Sequence, residues 1–431
     1  MDKKGVIEIF ETLIHIPHCS SKTSQMRRYL AEFAQSCGYR VEIDAVGNVM
    51  AYGEGSRVTL QSHYDMVCIG KAPDIEPVAE GGWMYARESS LGADNGMGMA
   101  MMLQMMQRGA PIDALFTNDE EIGLIGAGAL ELPIRTPNLL NLDSEELGKV
   151  YIGCAGGEDI HAKRAVKSKK IEENGVWYRL HATAPGGHSG VNIADGIPNA
   201  ISELCRYIYD HAGMEVAWME GGERINAIPR SAKALVWVPA GMSPMGRNGI
   251  AVESASGNGE MLVAEGRELV KALFGFAHGV REWNRDLNLP QDSINLAIVK
   301  MDGNECNISL SARSMDNDDL ARLVKQSVAG WEAYGFVCRT EGKYPAWKPE
   351  VNPFSETVLK EYRNVVPEVS YAAIHAGLEC ALFADRFPDL HIASIGPTIL
   401  DPHSDRERVD LDSVEKIMKV VDAVIADLSS I

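Results

Sequence analysis

The sequence predicts a two-domain α/β protein, in which a helix-covered, largely parallel mixed sheet is interrupted by an α+β domain with an antiparallel sheet. Three observations favour this fold class. The 431 residues exceed what one hydrophobic core usually supports. Strand and helix patterns alternate as far as residue 143, which is typical of parallel sheets. From about residue 160 strands follow one another, which favours antiparallel pairing with helices on one face.

Two helices are predicted first, over 6–16 and 24–36, because apolar residues recur there at helical spacing. The second follows the hydroxyl-rich "SSKTS", which supplies capping groups. The next elements, separated by Gly and Asn, are predicted strands at 40–45, 49–53, 58–63, 114–118 and 138–143 and predicted helices at 95–109 and 123–132. Ligands of such a sheet bind at the carboxyl ends of its strands.

The second region has its own pattern. We predict strands at 176–184, 215–220, 232–238, 294–301 and 307–314 and helices at 196–210, 259–275 and 318–335. The Pro-rich stretch 343–353 then returns the chain to the first region, which continues with a helix, a strand at 390–396 and a last helix from Asp412.

Composition excludes several classes of function. A net charge of -19 makes nucleic acid and anionic membranes unfavourable partners. No run approaches the roughly 18 apolar residues of a membrane span, and the first residues lack the apolar segment of a signal peptide. The eight cysteines show no CxxC pair, so we expect reduced thiols and no disulfide. We therefore expect a cytoplasmic protein that acts on small molecules.

Acidic residues and a histidine follow or adjoin the predicted strands in four segments, "SHYD", "LGADNG", "TNDEEIG" and "NLDSEE". Each segment has a plain structural interpretation, since Asp94 could cap a helix and Glu120 and Glu121 could lie in a solvated loop. For the structural explanation to be correct, a separate interpretation of this kind would have to be true for each of the four segments. Convergence of the side chains at one edge of the sheet is a single explanation for all four segments.

Zinc chemistry uses all of these residue types. Zinc takes imidazole nitrogen and carboxylate oxygen, and two ions about 3.5–4 Å apart can share a bridging carboxylate. Each ion then needs one more histidine and one more carboxylate. His403, in "GPTILDPHSD", is the other histidine in comparable acidic company, and the remaining histidines of the first region are interpreted as structural.

Nine motifs in order extend this interpretation from the first helices to the last: "SHYDMV", "LGADNGMGMA", "TNDEEIGLIGA", "NLDSEELGKVYIGCAGG", "GGHSGVNI", "INAIPR", "YPAWKP", "AIHAGLEC" and "SIGPTILDPHS". Together they resemble the aminoacyl-histidine dipeptidases, also called Xaa-His or cytosol non-specific dipeptidases, of the di-zinc aminoacylase/carboxypeptidase superfamily. The resemblance implies a di-zinc peptidase domain over 1–160 and 343–431, interrupted by a lid and dimerisation domain over 161–342. It also implies a homodimer that binds small peptides.

The resemblance further assigns the metal ligands. It implies that His63 and Asp143 bind one zinc, that Glu121 and His403 bind the other, and that Asp94 bridges the two. Asp65 would orient the His63 imidazole by holding the ring nitrogen that does not bind zinc. Glu120 would be the general base for the water held between the ions. By ligand type the site would also accept Co or Mn.

Four further residues are assigned to the substrate by the same resemblance. His188, in the second region, would donate to the oxyanion, often in the partner subunit's site, although it could instead cap the next helix. Asn226 would also reach substrate. His375 and Glu379 match a loop beside the metals, where a carboxylate could receive a free α-amino group, or Glu379 could only pair locally.

The predicted activity is metal-dependent hydrolysis of small peptides, above all dipeptides including Xaa-His. Hydrolysis of another amide, such as an N-acyl amino acid or a short peptide, is an alternative on the same centre, and a non-catalytic binding homologue is another. Ser62 and Tyr64 depart from the family pattern around His63, and Asn118 departs from it before Glu120. These departures concern substrate preference more than the type of reaction.

Overall fold

The computed structural model describes residues 3–257 and 261–430, and the chain forms two compact units. Unit 1 comprises Met1–Cys154, Trp347–Ala373 and Leu378–Ile431. Unit 2 comprises Ala155–Ala346 and Ile374–Gly377, so it interrupts unit 1 in sequence.

Unit 1 is built from two stretches of the chain. The elements of the first stretch are α1 (Lys3–Ile14), α2 (Ser24–Ser36), β1 (Arg40–Ile43), β2 (Val49–Tyr52), β3 (Val58–His63), β4 (Pro77–Glu80), β5 (Trp83–Ala86), α3 (Ala93–Gln107), β6 (Asp113–Thr117), α4 (Ile125–Gly128), β7 (Asn138–Asn141) and β8 (Lys149–Cys154).

Unit 2 contains most of the remaining strands. Its elements are β9 (Gly156–Ala165), β10 (Ser168–Lys169), β11 (Gly175–Thr183), β12 (Gly187–His188), α5 (Ala200–Asp210), β13 (Glu215–Gly221), β14 (Ala227–Ile228), β15 (Ser231–Pro239), β16 (Ile250–Ala255), β17 (Leu262–Val263), α6 (Gly266–Gly275), β18 (Gly279–Asn284), β19 (Leu289–Met301), β20 (Glu305–Ser314), α7 (Asn317–Ala333) and β21 (Val337–Tyr344).

The chain then returns to unit 1. The last elements are α8 (Pro353–Arg363), β22 (Ser370–Ile374), α9 (Cys380–Arg386), β23 (His391–Ser394), β24 (Ile399–Leu400), β25 (Arg408–Asp410) and α10 (Leu411–Ser429).

The main sheet of unit 1 has eight strands in the order β1-β2-β6-β3-β7-β23-β8-β22. Parallel pairing is found in its centre, where β6, β3, β7 and β23 lie side by side. All six residues of β3 are buried, as expected for a central strand covered on both faces. The methionine-rich α3 is buried around most of its circumference, which is why it lacks a polar stripe.

The main sheet of unit 2 has nine strands. Eight follow the order β16-β11-β15-β13-β19-β20-β9-β21, and β18 pairs with β19. Its pairings are antiparallel. Helices α5, α6 and α7 share one hydrophobic core with this sheet. Asn199 and Asp316 cap α5 and α7 by accepting from backbone N–H groups of the first turn.

Two predicted helices are much shorter in the structure, and the helix predicted over 196–210 begins four residues later, at Ala200. The helix predicted over 123–132 is reduced to α4, which begins only after Leu124, because Leu124 has a left-handed φ of 57° that a right-handed helix does not allow. The helix predicted over 259–275 begins at Gly266, since Leu262 and Val263 pair with β10. Residues 259–260 of that prediction lie outside the described residues.

The expectation that no cysteine is paired is wrong for one pair. Cys19 and Cys68 form a disulfide with a Cα–Cα distance of 5.5 Å. They are 49 residues apart and belong to no dense cysteine framework, so their spacing did not indicate the bond. Among the described residues, no helix combines the length and the apolar character that crossing a membrane requires.

Candidate metal centre

The candidate metal centre lies where three neighbouring strands of the unit 1 sheet end. β3 ends at His63, β6 ends shortly before Glu121, and β7 ends two residues before Asp143. These strands are parallel, so their carboxyl ends meet at one edge of the sheet. Asp94, at the start of α3, and His403, in the turn between β24 and β25, reach the same place. The structure therefore brings all five predicted metal ligands together.

The two carboxylate oxygens of Asp94 have separate partners. Asp94 Oδ1 lies 3.1 Å from Nε2 of His63, and this nitrogen is 3.3 Å from Oδ1 of Asp143. Asp94 Oδ2 lies 3.0 Å from Nε2 of His403, and this nitrogen is 2.9 Å from Oε1 of Glu121. Each oxygen of Asp94 thus adjoins one histidine and one further carboxylate.

The donor set fits divalent cations. Ligand atoms of His63, Asp94 and Glu121 all lie within 4.8 Å of one another. Glu121 Oε1 is buried and makes no hydrogen bond of good geometry, although His403 Nε2 is close to it. A buried carboxylate oxygen without a hydrogen bond is costly unless a cation compensates it. Imidazole and carboxylate are ligands that zinc prefers.

Neighbouring carboxylates raise the pKa values of both histidines of the centre. Burial by itself would lower the pKa of His403, but Asp94 and Glu121 outweigh it and raise that pKa to about 11. Burial also opposes the charged form of His63, whose pKa is nevertheless well above its usual value because of Asp143 and the other nearby carboxylates. The pKa of Asp94 is lowered by these two histidines against the effect of burial.

The remaining carboxyl groups have raised pKa values. Burial and the charge of Asp94 raise the pKa of Glu121 to about 7. Burial is also the main reason that the pKa of Asp143 rises to about 6. Acidic groups thus outnumber the two histidines here, and divalent cations would stabilise their ionised forms.

Asp65 connects several parts of the centre. Its carboxylate accepts hydrogen bonds from the backbone N–H of Glu120 (2.9 Å), the backbone N–H of Glu121 (3.3 Å) and the Ser20 hydroxyl (2.8 Å). Nδ1 of His63 lies 3.0 Å from the backbone carbonyl of Asp65 and 3.6 Å from its carboxylate. Asp65 therefore positions the backbone of both glutamates as well as the His63 ring.

Glu120 lies in a tight turn after β6. Asp119, the preceding residue, has a positive φ of 52°. The backbone carbonyl of Glu120 accepts hydrogen bonds from the N–H groups of Gly123 (3.0 Å) and Leu124 (2.8 Å). Gly123 has a φ of 117°, which favours glycine. Burial, together with the charges of Asp143 and other neighbours, raises the pKa of Glu120 well above its usual value.

Glu379 is fully buried beneath the sheet edge. Its Oε2 accepts hydrogen bonds from Gln61 (2.6 Å) and Thr117 (2.7 Å), on β3 and β6. These partners are distant in the sequence, and Glu379 makes no side-chain hydrogen bond to the first turn of α9. Burial raises its pKa to about 7, and its Oε1 has no hydrogen bond.

The other predicted site residues belong to unit 2. His188 ends the short strand β12, which pairs with β14, and the backbone N–H of Ser189 donates to the carbonyl of Asn226 (2.9 Å). Nδ1 of His188 accepts from the N–H groups of Gly190 (3.3 Å) and Val191 (3.1 Å). The ring proton must then lie on Nε2, which makes Nε2 a hydrogen-bond donor.

His375 lies close to the same turn. Its Nε2 is 2.7 Å from the hydroxyl of Ser293, and burial together with the charge of Arg313 lowers its pKa to about 3. A Cβ on Gly190 would lie 2.4 Å from the His375 carbonyl and 3.3 Å from Nε of Arg313, so this glycine permits close packing. Unit 2 thus brings His188, Asn226 and His375 into one region, and unit 1 contains the metal centre.

Arg313 was not predicted from the sequence. It lies on β20, 7% exposed, where it donates to the Tyr344 hydroxyl (2.7 Å), and its Nε is buried without a hydrogen bond. Among the described residues no carboxylate forms a salt bridge with it. The sequence feature that could have indicated a functional role for Arg313 is its position as the one charged residue in the strand segment "NISLSARS".

The two departures from the family pattern at His63 have structural roles. The Tyr64 side chain is fully buried, and its hydroxyl donates to the carbonyl of Gly47 (2.7 Å). The buried Ser62 hydroxyl donates to the carbonyl of Asn95, next to Asp94 (3.1 Å). Both side chains therefore support the centre from within unit 1.

Comparison with known proteins agrees with this geometry. Residues 59–427 match the family model described as peptidase family M20/M25/M40. The chain belongs to this peptidase family. It is 32% identical to the cytosol non-specific dipeptidase of Escherichia coli (strain K12) over 459 aligned positions, which cover 94% of each protein.

Solved structures extend the comparison. The crystal structure of aminoacylhistidine dipeptidase from Vibrio alginolyticus matches 99% of this chain and 96% of its own, with a TM-score of 0.81 and 28% identity. A tripeptidase from Staphylococcus aureus has the same fold, with a TM-score of 0.63, 16% identity and coverage of 100% and 99%. The predicted fold class, a peptidase catalytic domain with a lid domain, is confirmed, and the protein is a metal-dependent peptidase.

Proposed function

We propose that the protein is a dipeptidase whose centre binds two divalent cations, zinc in the first instance, on either side of Asp94. The observation that carries the proposal is the arrangement at this residue. Each of its carboxylate oxygens lies within 3.1 Å of a different histidine, and each of those histidines adjoins a further carboxylate. His63 and Asp143 would hold one cation, and His403 and Glu121 the other.

When bound, the cations supply Lewis-acid polarisation of the peptide carbonyl and lower the pKa of a water molecule. Glu120 takes the proton of the attacking water and returns it to the leaving amine. Its position on the turn after β6 and its raised pKa suit a group that must both accept and release a proton. Asp65 holds the backbone of Glu120 and Glu121 in place while this occurs.

The lid supplies the groups for the rest of the substrate. His188 donates from Nε2 to the carbonyl oxygen as negative charge develops there, which the hydrogen bonds accepted by its Nδ1 favour. Asn226, whose backbone is paired with that of Ser189, reaches the same substrate. The buried guanidinium of Arg313 binds the free carboxylate of the peptide, since its Nε is buried without a hydrogen-bond partner among the described residues.

The substrates are small peptides, dipeptides above all, with Xaa-His compounds among them. The names of the Escherichia coli and Vibrio alginolyticus relatives support this assignment. We place the protein in the cytoplasm and assign it a homodimer formed through the lid, which corresponds to the predicted domain over 161–342. His375 and Glu379 act by positioning the loop between them, since both are buried and hydrogen-bonded.

Hydrolysis of another amide is the second candidate, because a buried arginine would bind the carboxylate of an N-acyl amino acid equally well. A panel of free dipeptides, their N-acetylated forms and tripeptides should be assayed with zinc-reconstituted protein. Preference for free dipeptides supports the proposal. Preference for the N-acetylated forms would favour the second candidate, and absence of hydrolysis across the panel would leave only a binding protein.

A further inference from the structure

One buried carboxylate outside the predicted site contacts the backbone of the metal centre. Glu407 is 2% exposed. Its Oε2 accepts from the backbone N–H of Leu91 (2.8 Å) and of Gly92 (3.0 Å). Its Oε1 accepts from the N–H of Ala93 (2.7 Å) and of Asp94 (3.2 Å). Four consecutive amides therefore point at one side chain that lies more than 300 residues further along the chain.

The conformation of this loop makes the contact specific. Gly92 has a φ of 75°, a left-handed conformation that turns successive N–H groups towards the same side. The first N–H groups of α3 have no partners within the helix, and an anion at a helix N-terminus is favoured. Asp94 itself has non-helical φ and ψ values, so the helix does not determine its orientation. The contact from Glu407 takes over that role.

Glu407 also ends the turn that carries the second histidine, here called the His403 turn (residues 401–407). Asp401 and His403 adopt positive φ values of 53° and 56°, which are unfavourable for residues other than glycine. The turn is closed by the Ser404 hydroxyl, which donates to the carbonyl of Asp401 (2.7 Å), and by the N–H of Glu407, which donates to that of Ser404 (3.4 Å). The exposed side of this turn carries His403, and its buried end is Glu407.

We propose that Glu407 is a positioning residue of the cation centre, which sets the main chain at Asp94 and the His403 turn relative to each other. The proposal rests on the cation centre of the proposed function. Two ligands separated by 309 residues must meet at one cation, and Glu407 is bonded directly to the backbone of one and lies in the turn of the other. The cation position between His403 and Glu121 should therefore depend on Glu407 most strongly.

Replacing the carboxylate by an amide tests this directly. In Glu407→Gln the side chain keeps its size, but one oxygen becomes an NH₂ group that opposes backbone N–H groups. Glu407→Asp keeps the charge and shortens the reach, so it should restore part of the function. Asp410→Asn is the matched control, because Asp410 accepts from the backbone N–H of Asp412 (3.0 Å) at the start of α10 in the same unit.

The full-length chain of each variant should be titrated with Co(II) alone, following the visible absorption of the bound ion, and its metal-free form should be melted. We expect wild type to bind two ions. Glu407→Gln should bind one of them about 10–100-fold more weakly, with a changed Co(II) spectrum, as for other changes behind a metal ligand. Glu407→Asp should be intermediate, and Asp410→Asn should keep the wild-type spectrum and affinity and melt close to the wild type, because asparagine caps a helix about as well as aspartate.

Wild-type affinity and spectrum in Glu407→Gln, with two ions bound, would overturn this inference alone. Equal weakening in Asp410→Asn would overturn it too, since loss of any carboxylate charge near the turn would then suffice. Failure of wild type to bind Co(II) would overturn the proposed function and this inference together. If Glu407→Gln does not fold, the decision passes to Glu407→Asp, for which unchanged binding of the second ion would contradict the inference.

Discussion

The two sides of Asp94 differ in how their residues are held. On one side, His63 has a side chain that is 1% exposed, and it ends a fully buried strand. On the other side, the His403 side chain is 48% exposed and belongs to a turn with positive φ values. An imidazole beside a carboxylate thus lies at the end of a buried strand on one side of Asp94 and in a surface turn on the other. Because of this difference, we expect the two proposed cation positions to differ in affinity and access although their ligands are alike.

The largest expected effect comes from removing the histidine of the buried side. His63→Ala should lower kcat/KM by more than about 10⁴-fold, because it takes away the ligand held by the sheet and leaves Asp94 and Asp143 uncompensated. His403→Ala should keep one cation per chain and lose less activity. Metal content and kcat/KM of both variants measure this, and equal metal loss in the two would break the comparison.

Next in size is the loss of Glu120, which we assign to neither cation. Glu120→Gln should lower kcat by about 10²–10⁴-fold while both cations stay bound, because only proton transfer is removed. Glu121→Gln is the matched change one residue later, and it should weaken the cation of the exposed side. Wild-type turnover by Glu120→Gln would refute its role as general base.

Removal of metal should separate the two sides without any mutation. With excess chelator, the cation beside His403 should leave first, because its site is open to solvent, and the cation beside His63 should follow in a slower phase. Release can be followed with a metal-sensitive dye, with His403→Ala as the control that lacks the fast phase. A single phase in the wild type would show that the two sides do not differ.

The smallest effect concerns the pH dependence of the metal-free protein. The pKa of Glu121 is about 7 in the folded protein, whereas its ordinary value is 4.5. Between pH 4.5 and pH 7, therefore, the folded state keeps a proton on Glu121 that the unfolded state has lost. The pKa of His403 is about 11 against 6.5, which acts in the same direction at higher pH. Both contributions to stability are lost as pH rises, so metal-free protein should melt at a lower temperature at pH 9 than at pH 6.

Saturating zinc should reduce this dependence, because cations then compensate the ionised carboxylates of Glu121 and Asp143. Thermal unfolding at pH 6, 7.5 and 9, with and without zinc, measures the difference. A melting temperature of the metal-free protein that rises with pH would contradict the charge distribution described for the centre.

Much of the centre was predictable from the sequence because its ligands follow short apolar strands. His63 and Asp143 each lie at or just after such a strand, and parallel strands bring their ends to one edge. The lengths of two helices were less predictable. Small residues at 123–132 are compatible with a helix, but they also allow the close backbone approach that occurs at Gly126.

Contacts between distant segments could not be predicted. Glu407 is one acidic residue in a charged stretch, and nothing local indicates that it faces four amides near Asp94. Cys19 and Cys68 are likewise ordinary until their segments meet beside Asp65, where Ser20 donates to its carboxylate.

The sequence by itself determined the types of ligand, the order along the chain of the strands that present them, and the family to which the chain belongs. These follow from local patterns, because hydrophobic period and turn residues act over a few positions. The tertiary structure alone decided which oxygen of Asp94 faces which histidine, which of those histidines is exposed, and that Glu407 supports the loop from behind. Such facts depend on burial and on backbone direction, which arise only when distant segments pack together.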